Sequence, residues 1–597
     1  MVLARNPLME VTRDLVATAT GKTPADKVIQ NGKVVNVFTG EILNWDVAIK
    51  GDRIATVGDV SHTIGPDTEV IDAEGYYLCP GFMDGHVHVE SSMVTVTQFA
   101  RAVLPCGTTT IFMDPHEIAN VLGMDGVKLM VEEGLNLPLK VFATMPSCVP
   151  AAPGFEDAGA VFGPEEIAEA MTWPGICGLG EMMNFPGVLA GDESVHGELK
   201  ATMQAGKPIT GHYSVPGDFQ GLAAYGAAGI ISCHESVLTQ DALNRLRLGF
   251  YAKMREGSAW HDVKATVKSL TETSVDSRRA ILVSDDCHPD TLLSSGHLNH
   301  VVQRAVNEGL DPIRAIQAVT INTAECFGVA QDLGAIAPGR FADILFLSDL
   351  AGVEVEKVMT DGQITADAGK MLADLPEVTY PTNVSSSVHL KEHLKADHFR
   401  IVAPTTGTGT ARARVMEILE ASVLNRHKTE ELPVKDGGVE ADSTHDIAKA
   451  AVVERHGGNG SIGLGLVQGF GLNGGAVAST IAHDSHNLLI VGMNDADMAL
   501  AGNALAESGG GMVVVRDGKV LALLPLPIAG LMSDKSVEEV ADRVKGVHDA
   551  WQELGCRLVS PFMTMSLLSL PVLPELRLTN RGLVDTLSFS FVDLVQS

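Results

Sequence analysis

The chain has 597 residues, more than one hydrophobic core usually organises, so two or three domains are expected. Apolar residues make up 45% of it and charged residues 20%, the balance of an ordinary soluble globular protein. Asp and Glu outnumber Lys and Arg by 74 to 43, a formal charge of -31 that argues against nucleic-acid backbones and anionic membranes as partners.

The eight cysteines are scattered, with no C-x-x-C pair, and read as reduced core residues of a cytosolic protein. The N-terminal stretch MVLARNPLMEVTRDLVATATGK carries charges throughout and has no apolar signal core. No apolar run is long enough to cross a bilayer, so the expected location is cytoplasmic.

Residues 27–80 read as short strands separated by Gly-containing turns, among them Lys27-Val28-Ile29, Lys33 to Val37, Asp46 to Lys50 and Arg53 to Val57. From about residue 81 the grammar changes to apolar strand, loop and amphipathic helix, repeated. Strands are expected at Thr108–Phe112, Lys140–Ala143, Ile176–Leu179, Pro208–Thr210, Gly229–Ser232 and Ala280–Ser284, with helices such as Pro164–Met171 and Val195–Ala205 between them. Over some 250 residues this suits a parallel α/β barrel of the TIM type, (β/α)8. Asp311-Pro312 then opens a helix with a capping residue and Pro at its first position. The run Asp332 to Leu347 returns to strands and turns. The fold class expected is therefore α/β. Residues 81–330 form the barrel, 1–80 and 331–380 together build a small β-sandwich from both flanks, 381–400 are a linker, and 401–597 are a C-terminal α/β domain. The Gly-rich stretch Gly457–Gly475 matches no phosphate-binding loop and reads as turns.

The chemistry lies at the strand ends. In Pro80-Gly81-Phe82-Met83-Asp84-Gly85-His86-Val87-His88 the two histidines are one residue apart, so in an extended strand both imidazoles point to one face. Later apolar strands close at Asp114-Pro115-His116-Glu117, Glu181, His212, His234-Glu235 and Asp285-Asp286. In a parallel barrel the reactive groups come from the C-terminal ends of different strands. His86, His88, Glu181, His212, His234 and Asp285 thus form a ligand set for two divalent metals sharing ligands. Imidazole with carboxylate favours Zn, Fe, Mn or Co over Mg or Ca. Two such ions activate a bridging water at neutral pH, which points to metal-assisted hydrolysis. Asp285 is expected to bind metal through one oxygen and manage the nucleophile's proton with the other.

These motifs resemble the amidohydrolase superfamily, on Pro80 to His88, the later single histidines, Ser284-Asp285-Asp286 and Pro338 to Ile344. Within it the chain is similar to the adenine deaminases. That likeness rests on His88-Val89-Glu90-Ser91-Ser92, Asp114 to Val121, Gly178 to Asn184, Ser232 to Ser236, Ser284 to Asp290 and Ala482-His483-Asp484-Ser485-His486-Asn487, and it spans nearly the whole chain. The resemblance implies adenine and water giving hypoxanthine and ammonia, Mn or Fe as the metals with Zn acceptable, a free nucleobase as substrate, and a homodimer. Relatives that bridge their metals with a carbamylated lysine differ here, because Glu181 stands at the corresponding strand end. The alternative is another amidohydrolase, acting on a different aminopurine or a cyclic amide. Glu235 is expected to join Asp285 as a proton carrier. Glu90, Ser91, Ser92, His116 and Glu117 follow strand ends and are expected to line the substrate pocket. His483, Asp484 and His486 lie between two apolar runs, Thr480-Ile481-Ala482 and Leu488 to Val491, and are expected to dock over the barrel mouth. His483 and His486 also leave open an additional metal.

Overall fold

The computed structural model describes residues 5–258, 260–404, 407–419 and 422–596; residues 1–4 of the charged N-terminal stretch lie outside these. Its centre is a parallel barrel of β1 Phe82–His88, β2 Thr108–Met113, β3 Lys140–Met145, β4 Ile176–Met182, β5 Ile209–Gly211, β6 Ser232–Cys233, β7 Tyr251–Arg255 and β8 Ala280–Val283. Beyond β8 the chain passes Ser284 and pairs again as Asp285–Asp286, Asp285 opposite Val87 and Asp286 opposite His88. That short continuation closes the barrel onto β1.

β7 is the strand that the sequence pattern does not reveal. Buried parallel strands usually read as apolar runs, whereas Tyr251-Ala252-Lys253-Met254-Arg255 alternates. Ala252 and Met254 pack outward with Val263, Leu298 and Val301 of the surrounding helices. Lys253 and Arg255 share the opposite, inward face, where they are 1% and 5% exposed.

Strands from both flanks of the barrel share one seven-stranded sheet, in which Ile344–Asp349 runs antiparallel to Tyr77–Pro80. This sheet and a four-stranded one, Lys27–Gln30 with Asp46–Lys50, Arg53–Gly58 and Glu69–Asp72, bury Ile29, Val34, Val47, Leu78 and Ile344 in one cluster, the core of a sandwich. The C-terminal domain is β-rich. Its ten-stranded sheet is antiparallel throughout except where Gly409–Ile418 meets Ile462–Gln468, and the helices Asp495–Ser508 and Val537–Glu553 pack against it. The Gly-rich stretch is thus not all turn. A strand runs through it, and a Cβ on Gly463 would sit 1.8 Å from the carbonyl oxygen of Thr579, so glycine is what lets strand Leu576–Thr579 approach. The polar segment 381–400 carries one short 3-10 turn, Ala396–Phe399, and buries Leu394 and Phe399 beside Met498, Ala501 and Leu505.

All eight cysteines are free thiols, and seven are buried. Among the described residues no helix is long and apolar enough to cross a membrane.

The barrel's closure is held by a buried carboxylate. Asp84 Oδ1 accepts from the backbone N–H groups of His86 at 3.1 Å and Ser284 at 3.3 Å. Its Oδ2 accepts from Ser284 Oγ at 2.5 Å and lies 3.2 Å from His297 Nε2. One fully buried side chain therefore ties the His-x-His strand to the residue before Asp285. Asp84→Ala leaves these donors without an acceptor and is expected to lower unfolding stability by about 3 kcal/mol, since each unmet buried donor costs about 1–3 kcal/mol. Urea unfolding midpoints of the two proteins check this.

Candidate metal centre and active site

The six expected ligands come together at the C-terminal mouth of the barrel, around Glu181. Glu181 Oε2 lies 2.6 Å from His212 Nδ1 and 3.0 Å from His234 Nε2, while Oε1 lies 3.4 Å from His88 Nε2. Asp285 Oδ1 is 3.2 Å from His88 Nε2 and 3.7 Å from His86 Nε2. The rings of His86 and His234 stack at 3.9 Å. One carboxylate thus faces two separate groups of imidazoles, the arrangement expected of a bridging ligand.

Local structure explains the aim of each group. On β1, Val87 points into the helix-packed core, so His86 and His88 share the inward face. At the end of β4, Asp114 Oδ2 accepts from the Glu181 N–H at 2.7 Å. A Cβ on Gly180 would fall 2.6 Å from that same oxygen, so only glycine allows this approach. Asp285 has φ +60°, a left-handed conformation that Asp tolerates better than most residues. The turn breaks β8 and brings its carboxylate back over the mouth.

The donor set suits divalent cations. His88 Nδ1 donates to the Asp114 carbonyl oxygen at 3.0 Å, which makes Nε2, the nitrogen that faces the carboxylates, the one a cation can take. His86 Nε2 and His234 Nδ1 are buried without a hydrogen-bond partner. Burial, with His234 and His88 alongside, holds His86 well below the usual histidine range and so neutral. Burial also works against charge on Glu181, but His234, His212 and His116 outweigh it and keep the carboxyl well below its ordinary value. At Asp285 burial is likewise outweighed, by the His88 contact and by Arg255. Groups of imidazole nitrogens and carboxylate oxygens drawn from His86, His88 and Glu181, from His86, His234 and Asp285, and from Glu181, His212 and His234 each lie within 4.8 Å of one another. Against burial, Asp285 and Glu181 hold His88 well above the usual histidine range, and Glu235 and Glu181 raise His212 to about 9, so a metal ion taking these nitrogens displaces protons as it binds.

Glu235 faces the site. β6 ends at Cys233, so the alternation of a strand no longer governs the residues beyond it, and Glu235 Oε1 lies 3.6 Å from His234 Nε2 and 4.0 Å from His212 Nδ1. A residue outside the expected set joins it: Arg255 contacts Glu235 Oε1 through Nη1 and donates to Asp285 Oδ2 at 3.0 Å. The Asp285 oxygen expected to be free for proton transfer is therefore engaged by a guanidinium. The signal that points to Arg255 is arithmetic, because a closed barrel needs one more strand between His234 and Ala280.

The residues expected to face substrate divide. Ser91 Oγ donates to Asp286 Oδ1 at 2.6 Å and lies 3.1 Å from Glu117 Oε1, so it belongs to the polar cluster. Two others contact the backbone, Ser92 through its hydroxyl and Glu90 through one oxygen, its Oε2 being buried without a partner. Glu90 Oε1 accepts from the Ile118 N–H at 3.2 Å in the first turn of helix His116–Gly134, and Ser92 Oγ donates to the Val89 carbonyl at 2.5 Å. The C-terminal domain does reach the mouth. His116 sits between Glu181 Oε1, 3.2 Å from its Nδ1, and Asp484 Oδ1, 3.8 Å from its Nε2. His483 Nδ1 is 3.6 Å from Asp484 Oδ1 and 4.0 Å from Glu117 Oε1. His486 Nε2 is 3.9 Å from Glu117 Oε2.

In this second cluster His116, His483 and Asp484, and likewise Glu117, His483 and His486, bring ligand atoms within 4.8 Å of one another. His486 Nδ1 accepts from the Ala482 N–H at 3.2 Å, so the neutral ring carries its proton on Nε2 and points a donor, not a lone pair, at Glu117. Burial and the neighbouring His483 and Arg455 keep that ring neutral. Burial opposes charge on His116 and His483 as well, yet Glu181 beside the first and Asp484 beside the second raise them to about 10 and about 9. Three donors and two carboxylates here form a hydrogen-bonding surface.

Residues 77–365 match the model of the amidohydrolase family, and residues 422–590 match that of the adenine deaminase C-terminal domain. The chain is 78% identical to an adenine deaminase of Moorella thermoacetica over the full length of both. It is 54% identical to an adenine deaminase of Clostridium botulinum over 98% of each chain, and 48% identical to one of Ruegeria sp. over the same share. A solved beta-aspartyl dipeptidase from Fervidobacterium islandicum AW-1 superposes with a TM-score of 0.45 and 18% identity, over 58% of this chain and 98% of its own.

The His483 pairing has a pH signature. Its value in the folded protein, about 9, lies above the ordinary 6.5 of the unfolded chain. The stabilisation is therefore complete below about pH 6.5 and is lost as pH rises through about 9. In metal-free protein, His483→Asn is expected to flatten the fall in unfolding stability between neutral pH and pH 9–10. Urea titrations at a series of pH values measure it.

Proposed function

This chain belongs to the adenine deaminase family of amidohydrolases, and we propose that it hydrolyses adenine to hypoxanthine and ammonia at the cluster around Glu181. The observation that carries the reading is Glu181 itself, a buried carboxylate with one oxygen toward His88 and the other toward His212 and His234. His86, His88, Glu181, His212, His234 and Asp285 would hold two divalent ions. A donor set of imidazole and carboxylate without thiolate accepts Zn, Fe, Mn or Co, and the family resemblance favours Mn or Fe among them. Ions bound there supply a water activated near neutral pH.

The protein's own groups have the rest of the task. A water oxygen bonds to C6 of the purine, and the exocyclic amine leaves that carbon as ammonia. Attack builds charge on the ring, so one proton must reach a ring nitrogen and another the departing amine. Glu235 is the proposed carrier, because it lies beside His212 and His234 with a single guanidinium contact. Asp285 directs Oδ1 toward His86 and His88 and keeps Oδ2 on Arg255. Ser91, His116, Glu117, His483, Asp484 and His486 offer the donors and acceptors that a purine edge requires, and a site built from such groups rejects rings that leave them unpaired. Most of these side chains are under 10% exposed, so the C-terminal domain also keeps bulk water from the reacting carbon. We place the protein in the cytoplasm as a homodimer, on its free cysteines for the first and on the family resemblance for the second.

The test is purified protein loaded with Mn or Fe and offered adenine, other aminopurines, adenosine and cyclic amides, with ammonia and hypoxanthine measured. Higher kcat/KM on a cyclic amide than on adenine would sink the reading. Glu235→Gln is expected to retain its metal and lose about a hundredfold in kcat. Glu181→Gln is expected to lose metal, read by elemental analysis, together with activity.

A further inference from the structure

We propose that Arg255, at the end of β7, is a positioning residue that holds the proposed proton carrier Glu235 and the ligand carboxylate of Asp285 on one guanidinium; this rests on the deaminase reading above. Three acidic side chains from three different barrel loops converge on it. Glu235 follows β6, Asp262 follows β7 and Asp285 follows β8. Arg255 Nη1 contacts Glu235 Oε1 and lies 3.0 Å from Asp285 Oδ2, and Nε donates to Asp262 Oδ2 at 2.8 Å. The side chain is 6% exposed and its guanidinium lies 5.6 Å from the centre of the Trp260 ring.

The geometry divides the work. Asp262 meets neither Glu181 nor the histidines, and it fixes the plane of the guanidinium by its Nε. Nη1 then reaches two carboxylates that both border the histidine cluster. Glu235 and Asp285 would otherwise repel each other in a buried setting, and one cation between them fixes their separation and their aim. The backbone holds the same register. A Cβ on Gly257 would lie 2.4 Å from the Asp286 carbonyl oxygen and 2.5 Å from that of Ser284, so the chain leaving β7 runs flush against the end of β8. Lysine cannot replace this arrangement, because an ammonium is a point charge without the planar fork that engages Asp262 on one edge and the pair on another.

Two variants, Arg255→Ala and Arg255→Lys, are to be made in the full chain and loaded with Mn. For Arg255→Ala the expected result is a loss of about a hundredfold in kcat, with KM for adenine within about threefold and metal content as in the parent. Guanidinium chloride, far below unfolding concentrations, is expected to restore about tenfold, and urea, of the same shape but neutral, to restore none. Arg255→Lys should stay low, and it carries the same test if the alanine variant fails to fold. A kcat within about twofold of the parent in either folded variant overturns the proposal. So does parallel loss of metal and fold without rescue, which would mark a purely structural residue. A crystal structure of a folded variant reads the positioning without any assay: Glu235 displaced from His212 supports it, and both carboxylates unmoved overturn it. Failure of the parent protein to deaminate adenine would count against the function above, and that structure would still decide on Arg255.

Discussion

A carboxylate buried among imidazoles is the constraint on which the rest of this molecule depends. Glu181 is 3% exposed and has His88, His116, His212 and His234 within 3.4 Å of its oxygens. Taken out of water alone, such a charge costs several kcal/mol. It remains ionised because the barrel delivers positive or cation-binding groups from four strand ends to both of its oxygens. The placement follows from small features. Gly180 lets Asp114 reach the Glu181 N–H, Asp84 ties β1 to the segment after β8, and Asp285 turns through a left-handed conformation.

The mouth of the barrel is finished by another domain. His483, Asp484 and His486 come from a loop more than 190 residues beyond Asp285, yet they stand against His116 and Glu117 at the start of the helix that follows β2. The contact is anchored away from the chemistry as well. Asn487 Nδ2 donates to the Asp157 carbonyl at 2.7 Å, Thr579 Oγ1 donates to the Phe155 carbonyl at 2.6 Å, and Arg581 pairs with Asp157. The β3 loop and the C-terminal domain thus grip each other beside the site. Such a roof turns exposed polar strand ends into a desolvated surface, where each hydrogen bond discriminates more strongly between ligands.

Two kinds of histidine meet at this mouth, and the groups behind the rings separate them. Behind His88 a carbonyl accepts the Nδ1 proton, so its outer nitrogen is the one a cation can take. Behind His486 a backbone N–H donates to Nδ1, so its outer nitrogen carries a proton. Residue type is the same in both. The polarity of the partner decides whether the ring binds a cation or donates to an acceptor.

Much of this was legible in the sequence, because some signals are local. His86 and His88 must share a face in any strand, and apolar runs that end in Glu181, His212, His234 and Asp285 mark strand ends whatever surrounds them. The β-sandwich built from both flanks shows in the return of strand patterns at Ile344. What the sequence could not decide is where polar side chains find their partners. β7 escaped notice because Lys253 and Arg255 face inward and break the apolar run that identifies a buried strand. Ser92 and one oxygen of Glu90 turn to the backbone, and Glu235 turns inward because β6 stops at Cys233. Arg255 has no local signature at all: its meaning comes from Glu235, Asp262 and Asp285, which only the closed barrel brings together. Periodicity and strand-end chemistry are properties of neighbours in the chain, whereas hydrogen-bond partners, tautomers and the burial of charge are properties of neighbours in space.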